Sequence, residues 1–155
     1  MKKCLAYCMI LLHVLYTVDA FAACVANSSP FTAASASATD VKDCIAKATA
    51  SGDVVRVPAG SAEWNVSDAI TLSTANMTLQ GGIGGTTTIT TTGTAYNNVV
   101  SINADRVTVK DFTFTNKAYP AYEYPVGVTG SGTDFRITGN TFTGTGGYGI
   151  DVRSA

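Results

Sequence analysis

The sequence predicts an all-β chain, a coil of sheet with one short helix near its start. The first observation is a phrase that recurs along the second half. Val107-Thr108-Val109-Lys110-Asp111-Phe112-Thr113-Phe114-Thr115-Asn116 answers to Phe135-Arg136-Ile137-Thr138-Gly139-Asn140-Thr141-Phe142-Thr143-Gly144, and a fainter copy opens at Met77-Thr78-Leu79-Gln80-Gly81-Gly82. Aligned on Leu79, Val109 and Ile137, the steps are about 30 and 28 residues, the period of stacked repeats. The second is an interleaved series of β-branched segments at Leu72, Ile102, Val128 and Val152, stepping by about 30, 26 and 24 residues. The third is the loss of any helical period from Asp53 onward.

The N-terminus reads as a transport address. Lys2 and Lys3 precede an apolar run from Leu5 to Val18, and Ala20-Phe21-Ala22 has the small-x-small form of a cleavage site. This predicts a signal peptide over residues 1–22 and a secreted or cell-surface protein, with an uncleaved anchor as the alternative. The run is short for a membrane span, and no later segment approaches spanning length, so the mature chain is expected to lack a transmembrane segment. Loss of Lys2, Lys3 and Asp19 takes the formal net charge from -1 to -2. A weakly acidic chain with scattered charges lacks the basic stripe that nucleic acid requires. Because His13 leaves with the signal, a Ser/His or Cys/His nucleophile is excluded from the remainder.

Cys4 and Cys8 also leave, so Cys24 and Cys44 remain in an exported chain. A Cys24–Cys44 disulfide would close a loop of about 20 residues, worth about 3 kcal/mol by chain entropy. Phe21-Ala22-Ala23-Cys24 is also similar to a bacterial lipoprotein cleavage box, which would anchor Cys24 by lipid and leave Cys44 a buried thiol. Both readings stay open at the level of sequence.

Residues 23–39 are rich in Ser and Ala and form a lead-in segment. Thr39 suits a helix N-cap, Asp40 complements the helix start, and Gly52 suits the stop. Val41, Cys44, Ile45 and Ala48 share one face. Val54-Val55-Arg56-Val57 then reads as a strand stopped by Pro58-Ala59-Gly60. The two-residue strand period turns Val100, Ile102, Phe112, Phe114, Phe142, Ile150 and Val152 inward. Thr113, Thr115, Thr141 and Thr143 then face water. Gly81, Gly139, Gly144 and Gly149 predict corners where φ turns positive.

Asp40-Val41-Lys42-Asp43-Cys44-Ile45, followed by Gly52-Asp53-Val54-Val55-Arg56-Val57-Pro58-Ala59-Gly60, Ile70-Thr71-Leu72 and Thr78-Leu79-Gln80-Gly81, resembles the opening of a pectin-lyase-like right-handed parallel β-helix. The resemblance covers residues 40–155 and implies a solenoid whose helix caps the open end of the core. It also implies a polysaccharide partner, met by a lyase or glycoside hydrolase or by a non-catalytic surface solenoid. The family's lyases use calcium, which the resemblance allows in a full-length protein, although no metal site is evident here. Gly149-Ile150-Asp151-Val152-Arg153 starts a coil that Ala155 leaves unclosed, so the chain is expected to be the first part of a longer solenoid.

No catalytic residue can be assigned by residue-by-residue transfer. One predicted outward ladder, Thr71, Ser101, Gly127 and Asp151, holds one carboxylate; another, Ser73, Asn103, Thr129 and Arg153, holds one base. Asp105-Arg106 and Asp134-Phe135-Arg136 fall at equivalent turns and predict a structural ion-pair stack. Tyr119, Tyr122 and Tyr124, stiffened by Pro120 and Pro125, are the candidate sugar-stacking residues. Thr88-Ile89-Thr90, Thr113-Phe114-Thr115 and Thr141-Phe142-Thr143 outline a Thr-x-Thr face similar to those of ice-binding solenoids, with the first triplet out of step by spacing. Asn27, Asn65 and Asn76 head glycosylation sequons.

Overall fold

The computed structural model describes residues 24–93, 98–116, 124–128, 132–144 and 149–152, with the backbone alone for 124–128 and Asp151. Residues 1–23, which include the expected signal peptide, and Tyr119, Tyr122, Thr129 and Arg153 lie outside the described residues. Those described are mostly β-strand, with one α-helix and parallel sheets. The order begins with β1 (Phe31–Thr32), α1 (Ala38–Lys47), β2 (Val54–Asn65), a 3-10 turn at Val66–Asp68, β3 (Ile70–Leu72) and β4 (Thr78–Thr92). It continues with β5 (Asn98–Ile102), β6 (Thr108–Lys110), β7 (Phe112–Asn116), β8 (Tyr124–Val128), β9 (Arg136–Thr138), β10 (Thr141–Gly144) and β11 (Ile150–Val152). One sheet runs β1-β2-β4-β6-β9, with β7 beside the later half of β4 and β10 beside β7; the other runs β3-β5-β8-β11.

The pairing register reproduces the sequence alignment residue for residue. Leu79 pairs with Val109 and Val109 with Ile137. In the other sheet Leu72 pairs with Ile102, Ile102 with Val128, and Val128 with Val152. Parallel pairing in this register sets each side chain beside its equivalent, about 4.8 Å away, so alternate residues form continuous inward columns. Val55, Leu79 and Val109 form one such column, and Ile70, Val100, Leu72 and Ile102 line the facing sheet; all are fully buried. Trp64 and Phe114 meet edge to face at 6.5 Å, and Phe114 stacks on Phe142 at 5.5 Å. The Trp64 Nε1–H donates to the Ala36 carbonyl at 2.9 Å, which satisfies the buried indole and ties the lead-in to β2.

Several local expectations are corrected. Helix α1 is capped by Ser37, not Thr39: Ser37 is extended (φ -63°, ψ 146°) and its hydroxyl accepts from the Asp40 N–H at 3.2 Å. It ends at Ala48 rather than at Gly52, which lies in the following turn. The lead-in is structured: β1 pairs with the edge of β2, and Phe31, Ala33 and Ala36 are buried. Strand β2 does not stop at Pro58 but runs on to Asn65, because register shifts around Pro58 absorb the missing N–H. Ile150 and Val152 hold the register of the inward columns but are 41% and 61% exposed, since β11 is the outermost described strand of its sheet.

The corner glycines divide by cause. Gly139 takes φ 65°, whereas Gly82, not Gly81, carries the positive φ of the matching corner. Gly81 is instead required by close approach, because a Cβ there would lie 2.7 Å from the Asp111 carbonyl oxygen.

Cys24 and Cys44 form a disulfide with Cα atoms 5.0 Å apart, both side chains buried. The bond clamps the lead-in to α1, whose Val41, Cys44 and Ala48 are buried in the core. Replacing both cysteines with Ala is expected to lower the unfolding free energy by about 3 kcal/mol. Urea unfolding at neutral pH checks this as a lower midpoint.

Candidate functional site

Four strands of the larger sheet are entered through the same left-handed corner. Gly52, Asn76, Arg106 and Asp134 have φ of 90°, 59°, 57° and 54°, each two residues before β2, β4, β6 or β9. Gly, Asn and Asp tolerate this conformation, but Arg does so rarely. Arg106 is held there by its surroundings: its N–H donates to the Thr133 carbonyl at 2.7 Å, and the next strand begins with Thr108 N–H donating to Met77 at 2.8 Å. The corner side chains therefore emerge in a column beside the outer face of β4, β6 and β9.

That column borders an open cleft of about 560 Å³ lined by Asn76, Arg106, Thr108, Asp134, Phe135 and Arg136. The Arg106 Nε–H donates to Asn76 Oδ1 at 2.6 Å, and Asn76 Nδ2 in turn donates to Ser51 Oγ at 2.6 Å. This chain of bonds crosses three neighbouring turns and orients the guanidinium. Arg136 opens β9 opposite Thr108 and is exposed. Phe135 is half-buried, packed against the core on one side while it lines the cleft.

The predicted ion-pair stack is not formed among the described residues. Arg106 is in line with Asp134 rather than Arg136, and Asp105 with Thr133, so the two acid–base phrases are one residue out of step. The Asp105 carboxylate instead accepts from the Thr133 N–H and the Thr133 hydroxyl, each at 2.8 Å. Those bonds, with a smaller contribution from Arg106, hold its pKa below the usual carboxylate value. The ion pairs among the described residues lie elsewhere, at Lys42–Asp68 and Lys110–Asp111. Neither cleft arginine has a carboxylate within ion-pair distance among those residues.

The other candidates are placed as follows. Tyr119 and Tyr122 lie outside the described residues, while the backbone of Tyr124 begins β8 and pairs with Asn98. Thr71, Ser101, Gly127 and Asp151 do form one register ladder. Among the described residues no group of three or more His, Cys, Asp or Glu side chains is gathered to hold a metal such as calcium. No helix among them is long and apolar enough to cross a membrane.

The Thr-x-Thr face is in register throughout, which corrects the spacing argument. Thr88, Thr113 and Thr141 form one column, and Thr90, Thr115 and Thr143 another. The extra residues between Leu79 and Ile89 are taken up where β4 pairs irregularly with Pro58 and Gly60 of β2. The Thr87 hydroxyl closes that irregularity, accepting from Gly82 N–H at 2.8 Å and donating to the Pro58 carbonyl at 2.9 Å.

Sequence reasoning flagged Arg106, Phe135 and Arg136 but missed Asn76 as their partner. The available signal was that Asn76-Met77-Thr78, Arg106-Val107-Thr108 and Asp134-Phe135-Arg136 each precede a strand of the same series. No family model, no curated protein and no solved structure matches this chain.

Asp105 also sets an acid dependence. Its folded pKa lies below its unfolded value, so its contribution is complete above the unfolded pKa and is lost as pH falls through the folded one. Asp105→Asn is therefore expected to be less stable than the wild type at neutral pH, with the gap narrowing below about pH 4. Urea midpoints of the two proteins measured between neutral and acidic pH check the sign.

Proposed function

We propose that the chain is an exported right-handed parallel β-helix that binds polysaccharide in the cleft beside β6 and β9. The solenoid reading is supported by the way the chain returns to each sheet: β4 is followed by β5 of the other sheet and then by β6, paired parallel to β4. Parallel crossovers of this kind are right-handed in nearly all proteins. Export is supported by the Cys24–Cys44 disulfide, which also occupies the sulfur that a lipid anchor would need.

The observation that carries the binding reading is the composition of the cleft. An aromatic ring at Phe135, two guanidiniums, a hydroxyl at Thr108 and an amide at Asn76 line one open trough. Sugars are bound by such combinations, with the ring meeting C–H faces and the polar groups meeting hydroxyls. Among the described residues the cleft holds a single carboxylate, Asp134, whereas glycosidic hydrolysis ordinarily uses two, so the proposal is limited to binding. Titration of the purified protein with neutral and charged oligosaccharides is expected to show saturable binding, weakened about tenfold or more by Arg106→Ala with Arg136→Ala. Failure of every oligosaccharide to bind would refute the proposal.

The in-register Thr columns favour a second reading, a surface that orders water. Hydroxyls and methyls repeat at about 4.8 Å along each column and about 6.7 Å across, a flat two-dimensional array. On this reading the protein shapes growing ice crystals, and Thr113→Tyr with Thr115→Tyr removes the effect without changing the melting temperature. Ice growth indistinguishable from that in buffer would reject it.

A further inference from the structure

We infer, resting on the glycan-binding reading of the cleft, that Asn76 is a positioning residue. It fixes the Arg106 guanidinium before any ligand arrives, so Arg106 carries more of the binding than Arg136.

Two demands meet at position 76. The corner has φ 59°, which Gly, Asn and Asp accept most readily. The side chain must also end in an acceptor that reaches the next turn. Asn76 Oδ1 takes the Arg106 Nε–H at 2.6 Å, and Asn76 Nδ2 donates to Ser51 Oγ at 2.6 Å. The equivalent corner one turn earlier is Gly52, so the backbone alone does not call for Asn. Backbone bonds hold both residues in place. Asn76 N–H donates to the Asp105 carbonyl at 2.9 Å, and Arg106 N–H to the Thr133 carbonyl at 2.7 Å. Arg106 is thus tied at its backbone and again at its Nε.

The two arginines differ in this respect. Among the described residues, the exposed side chain of Arg136 makes no hydrogen bond or ion pair, and it stands on β9 at the outer side of the sheet. The Asp105 carboxylate also attracts Arg106. It lies beyond ion-pair distance and its Oδ1 is held by Thr133, so it draws the guanidinium without setting its direction. Asn76 sets the direction, because a hydrogen bond weakens steeply away from linearity. An unanchored Arg136 must be ordered when ligand binds, and ordering a long side chain costs affinity. Arg106 is already ordered.

Nuclear magnetic resonance of the nitrogen-15-labelled protein reads each Nε–H directly, with no ligand present. The Arg106 Nε–H is expected to exchange with water about tenfold or more slowly than that of Arg136. Asn76→Gly keeps the corner and should remove that protection, whereas Asn76→Asp keeps the acceptor and should retain it. Binding of a neutral glucose hexamer and of a uronate hexamer is then measured by calorimetry. For the tighter of the two, Arg106→Gly is expected to cost about tenfold or more and Arg136→Ala about threefold or less. Asn76→Gly should cost about three- to tenfold alone and nothing further when Arg106→Gly is already present.

Equal exchange at the two arginines, or protection that survives Asn76→Gly, would overturn the positioning role. A merely structural Asn76 would lower the melting temperature on substitution without equalising the two Nε–H groups. Equal losses from the two arginine variants, or additive losses from Asn76→Gly and Arg106→Gly, would overturn the unequal shares while leaving glycan binding intact. Binding of neither hexamer would bring down the glycan reading and the unequal shares with it, and the exchange rates would still decide whether Asn76 fixes Arg106.

Discussion

Parallel pairing of strands with their own equivalents is the constraint on which the rest of this structure depends. A shift of one residue would turn every inward side chain outward, because side chains alternate along a strand. Leu79, Val109 and Ile137 stay in line, as do Leu72, Ile102, Val128 and Val152, so the same choice of faces is enforced from strand to strand. Burial follows from this register. Trp64, Phe112 and Phe114 are almost wholly excluded from water, and Phe142 stacks on Phe114 at the outer side of the cluster.

The same repetition that builds the core also builds the surfaces. Corner residues recur in line, so Asn76, Arg106 and Asp134 come together although about 30 residues separate each from the next in sequence. A cleft made in this way has chemistry that no single strand could supply, with one wall from each turn. On the other part of the larger sheet, repetition yields the opposite character, a neutral face of threonines over Ile89 and Phe114. The larger sheet thus carries both a cleft lined by two arginines and in-register columns of threonines.

Much of the architecture was legible because strand period and repeat period are local signals. The residues that defined the two series are the ones that pair. The Ser and Ala content of residues 23–39 marks a lead-in segment but does not reveal that Phe31 pairs at the sheet edge and is buried in the core. The helix start was misplaced by two residues because Ser37 and Thr39 are both competent caps, and only the extended backbone at Ser37 decides between them. Thr88-Ile89-Thr90 was set out of step because spacing along the chain does not reveal that an irregularity at Pro58 can absorb extra residues.

By itself, then, the sequence determined the strand content, the two interleaved series and their register, since alternation and repetition are written residue by residue. It also pointed to Cys24 and Cys44 as a pair. Tertiary structure alone decided how the charged turns are used. Asp105 and Arg106 are neighbours in the chain, yet one turns to Thr133 and the other to Asn76, because a left-handed residue at the corner sends their side chains to different partners. Whether a carboxylate and a guanidinium neutralise each other or leave a cleft charged is a matter of distance and direction in space, which adjacency in sequence does not specify.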